Sequence, residues 1–266
     1  MTTLQTVFAK AKADNRAALV GYLPAGFPSK EGAISAAAAL VDAGCDVIEI
    51  GLPYSDPLMD GPTIQDAVHR SLENGTRIAD VMRTVEGVAR TGAATLVMTY
   101  WNPIDRYGAD RFARDLANAG GVGTITPDLT PEESEPWRAA SAAAGIDTVF
   151  LVAPSSTEAR IKAVVDCCTG FVYAASLMGI TGARESVNAA AQGLVERTRK
   201  HTELPVCVGL GIGTGAQAAE VAGYADGVIV GSAFIRRMLD APDEAAGRTS
   251  IGALAREMAQ GVRSHA

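Results

Sequence analysis

Short runs of apolar, often β-branched residues recur along the chain. Each is followed by an Ala-rich stretch in which apolar positions return every three or four residues. The runs predict strands over residues 17–23, 46–51, 95–100, 122–126, 148–152, 171–175, 205–209 and 227–230. Between and after them, helical spacing predicts helices over 30–43, 78–90, 110–119, 131–144, 157–165, 187–199, 215–222 and near 251–262, with an extra helix over 4–13 in front. Pro131 followed by Glu132 and Glu133 suits a first helical turn, where proline is tolerated and acids complement the dipole. Strands such as VIEIG and GVIVG are almost continuously apolar, the pattern of parallel strands covered on both faces. Eight strand-plus-helix units point to a closed (β/α)8 barrel rather than an open doubly wound sheet. The longest interruption, 52–77, follows the second strand and holds a further helix over 63–73. A short helical stretch follows the eighth strand. No linker or composition shift divides the chain, so residues 1–266 are expected to form one domain.

The chain has 266 residues, 48% of them hydrophobic, enough for one large core without disulfides or a structural metal. Its net charge of −7 argues against nucleic acid or an anionic membrane as partner. No segment has the length of a membrane span, and the first fifteen residues carry no apolar signal region. A soluble, cytoplasmic protein is expected. Cys45, Cys167, Cys168 and Cys207 form no C-x-x-C pair and read as buried thiols.

In such a barrel the chemistry sits at the C-terminal ends of the strands and in the loops beyond them. His69, His201 and His265 all fall elsewhere, so neither a histidine triad nor a metal cluster is supported. Carboxylates are left as proton carriers. Glu49 interrupts an apolar strand and, by period-2 alternation, shares a face with Val47, which aims it into the barrel mouth. A buried ion pair is the plain alternative, but the predicted strands contain no Lys or Arg to supply it. Asp56 and Asp60 lie in SDPLMDGP, a segment of strong turn chemistry, where they either cap turns or, beside Glu49, share acid and base roles with it. Gly209-Leu210-Gly211-Ile212-Gly213 and Gly231-Ser232-Ala233 follow the seventh and eighth strands, where (β/α)8 barrels often hold phosphate on glycine backbone and a helix N-terminus. The first of these lacks the full spacing of a dinucleotide fingerprint. Gly179-Ile180-Thr181-Gly182 reads as a loop able to close over the same site.

Taken together, these motifs resemble the α subunit of tryptophan synthase. The resemblance is carried by IEIGLPYSDPLMDGPTIQ (48–65), MTYWNP (98–103), PDLTPEE (127–133), GITGAR (179–184), VGLGIGT (208–214) and VIVGSA (228–233), and it spans the chain. The Ala-rich, Lys-poor composition is similar to actinobacterial members. The resemblance implies reversible retro-aldol cleavage of indole-3-glycerol phosphate to indole and glyceraldehyde 3-phosphate. Glu49 would then be the acid/base, and Asp60 the acceptor of the indole N–H. Tyr173 would lie near the glutamate, in a chemical or a packing role. Tyr22, Tyr100, Leu151 and Leu210 would line the indole pocket, Gly182, Gly211, Gly231 and Ser232 would bind phosphate, and Thr181 would sit in the closing loop. Met59, Thr130, Leu210 and Tyr22 depart from residues common in the family, which bears on pocket shape and loop packing.

The resemblance also implies a β-subunit partner in an αββα heterotetramer. That partner carries pyridoxal phosphate, while this chain needs no cofactor. Indole passes to it through a tunnel, with Asp56, Pro57 and Asp128 facing it. Little activity is expected without it. The alternatives are a stand-alone indole-3-glycerol phosphate lyase, a mainly allosteric or tunnel-forming subunit, and an unrelated sugar-phosphate isomerase on the same barrel.

Overall fold

The computed structural model describes residues 3–175, 184–209 and 211–264, with backbone only for 184–187. Among these residues nine parallel strands form one sheet: β1 (Ala18–Pro24), β2 (Val47–Gly51), β3 (Ala94–Met98), β4 (Gly123–Ile125), β5 (Asp147–Val149), β6 (Leu151–Val152), β7 (Val172–Ala175), β8 (Val206–Gly209) and β9 (Gly227–Val230). Their order is β5-β4-β3-β2-β1-β9-β8-β7-β6. The two ends of that order are consecutive in sequence and separated only by Phe150. The sheet is therefore a (β/α)8 barrel whose fifth strand changes neighbours halfway. Its first half pairs with β4 and its second half with β7. At the changeover the Phe150 carbonyl accepts Tyr173 N–H at 3.1 Å, and the Phe150 N–H donates to Cys168 Sγ at 3.4 Å. The unbroken strand expected over 148–152 is in this sense two.

Period-2 alternation divides the apolar residues between two cores. Val20, Val47, Leu96, Ile125, Val149, Cys207 and Ile229 fill the barrel interior, and the other faces of the same strands pack against the surrounding helices. The predicted N-terminal helix, α1 (Leu4–Ala13), closes the lower end of the barrel: Leu4 and Phe8 join the interior cluster, Phe8 tilted against Phe171 with ring centroids 5.7 Å apart. Thr3 starts this helix with a capping box to Thr6.

The surrounding helices are α2 (Lys30–Asp42), α3 (Pro62–Glu73), α4 (Ile78–Ala89), α5 (Trp101–Tyr107), α6 (Ala109–Asn118), α7 (Glu135–Ala144), α8 (Glu158–Val165), α9 (Arg184–Arg199), α10 (Gly215–Ala222), α11 (Ser232–Leu239) and α12 (Glu244–Gly261). The extra helices expected after the second and eighth strands are α3 and α11. Several boundaries differ from the sequence reading. Thr157 is the cap of α8 rather than its first residue. The helix expected over 131–144 is a 3₁₀ turn, Pro131–Glu133, followed by α7. Pro136 has no N–H to continue one ladder through both, and it sits instead in the first turn of α7, where the missing donor costs least. Helix α12 begins at Glu244 on an Asp243 cap, well ahead of 251, because polar residues such as Arg248, Thr249 and Ser250 mask its apolar spacing. Helix α5 gave no periodic signal: it is two turns long and carries Pro103 in its first turn.

Candidate active site

Strand β2 places Glu49 on the inward face above Val47, as alternation requires. The carboxyl is 1% exposed, and its Oε2 has no hydrogen-bond partner among the described residues. Withdrawal from water, with the Asp60 charge adding to it, raises its pKa from 4.5 to about 8. Glu49 is thus a neutral acid near neutral pH. A buried, unpartnered carboxyl keeps its proton because the low-dielectric surroundings penalise the anion.

Asp60 approaches from the loop that follows β2. It is half-buried and its pKa is also raised by burial, opposed by a hydrogen bond from the Tyr100 hydroxyl. Tyr100 anchors this loop as well, since its oxygen accepts Met59 N–H at 3.0 Å. Its ring lies 5.6 Å from that of Tyr54.

The two carboxyls face one cavity of about 220 Å³. Tyr22, Leu151 and Tyr173 form part of its wall, with Met59, Ile64, Met98, Ala175, Gly209 and Ile229. Gly211, Gly231 and Ser232 lie at another side of it. Gly211 has φ of +64°, a backbone that L side chains rarely adopt. Ser232 opens α11, whose start carries no side-chain cap and lies in the cavity lining, and an uncapped helix start favours an anion. Thr181, Gly182 and Leu210 lie outside the described residues.

The residues expected to face a partner lie at the same end of the barrel but outside this cavity. Asp56 is exposed and accepts from Ser55 Oγ at 2.6 Å. Pro57 beside it is partly exposed. Asp128 supports the fold locally, because its Oδ1 accepts Trp101 N–H at 2.9 Å and so caps α5. Burial raises its pKa and this bond opposes the rise. The remaining candidates fall away from the site. His69 pairs with Glu73 and His201 with Glu158, both at the surface, and the four cysteines are buried free thiols. Among the described residues no group of three or more His, Cys, Asp or Glu could hold a metal, and no helix is long and apolar enough to cross a membrane.

A family model described as tryptophan synthase alpha chain matches residues 8–263. The tryptophan synthase alpha chain of Thermobifida fusca is 60% identical over the whole of both chains. That of Streptomyces coelicolor is 59% identical over 99% of this chain and 97% of its own. The chain belongs to the tryptophan synthase alpha chain family. A solved Mycobacterium tuberculosis tryptophan synthase structure superposes with a TM-score of 0.91 at 51% identity, covering 99% of both chains. The family's reaction, the lyase step on indole-3-glycerol phosphate, is accordingly the activity of this chain.

Two glycines shape the cavity in a way the sequence does not show: Gly51, read only as a strand end, and Gly209, read as the start of the glycine-rich phosphate loop. A methyl group on Gly209 would fall 2.2 Å from Tyr173 Oη, and one on Gly51 would fall 2.3 Å from Tyr22 Oη. Both tyrosines reach the mouth only because the neighbouring strand has no side chain there. A register argument could have found them, because Tyr173 stands beside Cys207 and Tyr22 beside Glu49, one pleat below each glycine. Gly209→Ala is expected to tilt Tyr173, to cost about 1–3 kcal/mol of stability through overpacking, and to lower kcat/KM roughly tenfold by misplacing the cavity wall. Adding Tyr173→Phe should restore part of the rate. Indole release and urea unfolding check both expectations.

Proposed function

We propose that Glu49 and Asp60 divide the cleavage of indole-3-glycerol phosphate between them. Glu49, protonated at neutral pH, gives its proton to indole C3. The ring becomes cationic, and Asp60, as an anion accepting the indole N–H, stabilises that charge. The Glu49 carboxylate then takes the proton from the hydroxyl on the adjoining glycerol carbon. The carbon–carbon bond breaks, its electron pair returns to the ring, and the hydroxyl carbon leaves as the aldehyde of glyceraldehyde 3-phosphate. Glu49 ends protonated, ready for another cycle. Backbone N–H groups at Gly211, Gly231 and Ser232 hold the phosphate, and Gly182 joins them in that role. Tyr22, Tyr100 and Leu151, with Leu210, bound the indole ring, and Thr181 belongs to the loop that closes over it. Tyr173 packs beside the glutamate. The observation that carries this reading is a buried Glu49 whose Oε2 has no hydrogen-bond partner among the described residues, in the same small cavity as Asp60.

The chain works with a β subunit in an αββα assembly in the cytoplasm. It needs no cofactor of its own, and pyridoxal phosphate belongs to the partner. Support comes from the loop that carries Asp60: Leu58 is 74% exposed and Met59 45%, two large apolar side chains in water beside a catalytic carboxylate. A partner that covers them, together with Asp56, Pro57 and the Asp128 segment, would gain apolar burial and fix the loop at once. Indole release measured with and without the cognate β subunit tests this. The rate is expected to rise at least about tenfold with the partner, the equivalent of about 1.4 kcal/mol of loop ordering. A rate already high alone and unchanged on mixing would instead mark a stand-alone lyase.

A further inference from the structure

Tyr22 is 6% exposed, yet its hydroxyl makes no hydrogen bond to any described residue. It stands directly beside Glu49 in the β1–β2 register. Its ring packs against Gly231, where an added methyl would lie 3.1 Å from Cδ1, and its oxygen lies over Gly51. The hydroxyl therefore projects one pleat beyond Glu49, to the level at which β2 ends and the Asp60 loop departs. Asp60 shares the cavity with it, and Asp60 is the charge that bears on it most, ahead of Glu49. Burial holds the phenol well above its ordinary pKa, so it stays a donor over the whole working range. An ionised carboxylate has about four acceptor positions. In a half-buried site, Asp60 draws on the Tyr100 hydroxyl alone among the described side chains.

We propose that the Tyr22 hydroxyl is a positioning residue for Asp60: with substrate bound, it donates a hydrogen bond to the carboxylate and keeps it ionised and turned toward the indole N–H. The proposal rests on the reading of Asp60 given above. Phenylalanine at this position would serve the pocket wall equally well and could not supply the bond. The hydroxyl is thus a polar addition to an otherwise apolar wall, placed where a carboxylate must stay charged against burial.

The test is the pH profile of kcat for indole release, in the presence of the β subunit, for wild type, Tyr22→Phe, Asp60→Asn and the double variant. A bond to a charged acceptor, removed, is expected to raise the Asp60 pKa in the substrate complex by about one unit. The acid limb of kcat should therefore move up by about one pH unit in Tyr22→Phe. That is about a tenfold loss below the limb, fading above it, with KM changed less than about twofold. In the Asp60→Asn background, Tyr22→Phe should have no further effect. An unmoved limb, or the same loss with Asp60 already replaced, overturns the proposal while leaving Asp60 as the acceptor. Wild-type kcat in Asp60→Asn overturns the Asp60 reading itself. A purely structural Tyr22 would change the rate evenly across pH and does not predict the moved limb.

Discussion

Glu49→Gln is expected to lower kcat for indole-3-glycerol phosphate cleavage by about 10³- to 10⁴-fold, the upper range for losing a positioned acid/base, while leaving substrate binding nearly unchanged. Gln keeps the shape and a polar end but can neither give nor take a proton. Single-turnover indole release, with substrate affinity measured separately, checks it. The same substitution has a stability signature of opposite direction. The folded pKa of Glu49, about 8, lies above the ordinary 4.5. Below 4.5 the residue is protonated in both states, and its burial costs no charge. As pH rises from 4.5 to 8 the unfolded chain releases the proton and the folded chain holds it. Wild type therefore loses stability through this window by up to about 1.4 kcal/mol per pH unit, and the Gln variant does not. Urea unfolding of the two proteins across that range should diverge accordingly.

Asp60→Asn is expected to cost about 10²- to 10³-fold in kcat, the range for removing one group that stabilises charge developing in the transition state. Asn can still accept the indole N–H through its oxygen, so KM should change little. What it cannot do is oppose the positive charge on the protonated ring. Neighbouring bonds should survive, since the Tyr100 hydroxyl still accepts from Met59 N–H. Steady-state kcat and KM, with the fold confirmed by circular dichroism, separate the two roles. A loss confined to KM would assign Asp60 to binding alone.

Much of this site was legible in the sequence because its signals are violations of pattern. Glu49 is an acid in a run that should be apolar, and alternation alone put it on the inward face. The glycines after the last two strands occupy the places where this barrel type binds phosphate. The family segment around Asp60 supplied the second carboxylate. Less legible were features that depend on what comes alongside. Gly51 looks like an ordinary strand end, and Gly209 like the first residue of a phosphate loop, until register places a tyrosine hydroxyl against each. Asp128 caps α5 from a loop some 27 residues away in sequence, a contact no local pattern encodes. Helix α5 was too short and too interrupted to show a period. The change of partner at Phe150 is likewise a matter of barrel closure: a shared fifth strand must pair with β4 below and β7 above, and nothing in residues 148–152 marks where. Ile64 and Met98 line the cavity from a helix and a strand end, and their apolar character made them indistinguishable from core.

The central claim is that burial keeps Glu49 protonated at neutral pH, ready to act as the acid. The direct measurement is the infrared difference between wild type and Glu49→Gln, followed in the protonated-carboxyl stretch as pH is raised. A buried carboxylic acid band is expected near neutral pH, disappearing with a midpoint near 8. A Glu49 already ionised near pH 5, close to the ordinary glutamate range, would contradict it, and the first proton in the cleavage would have to come from another group.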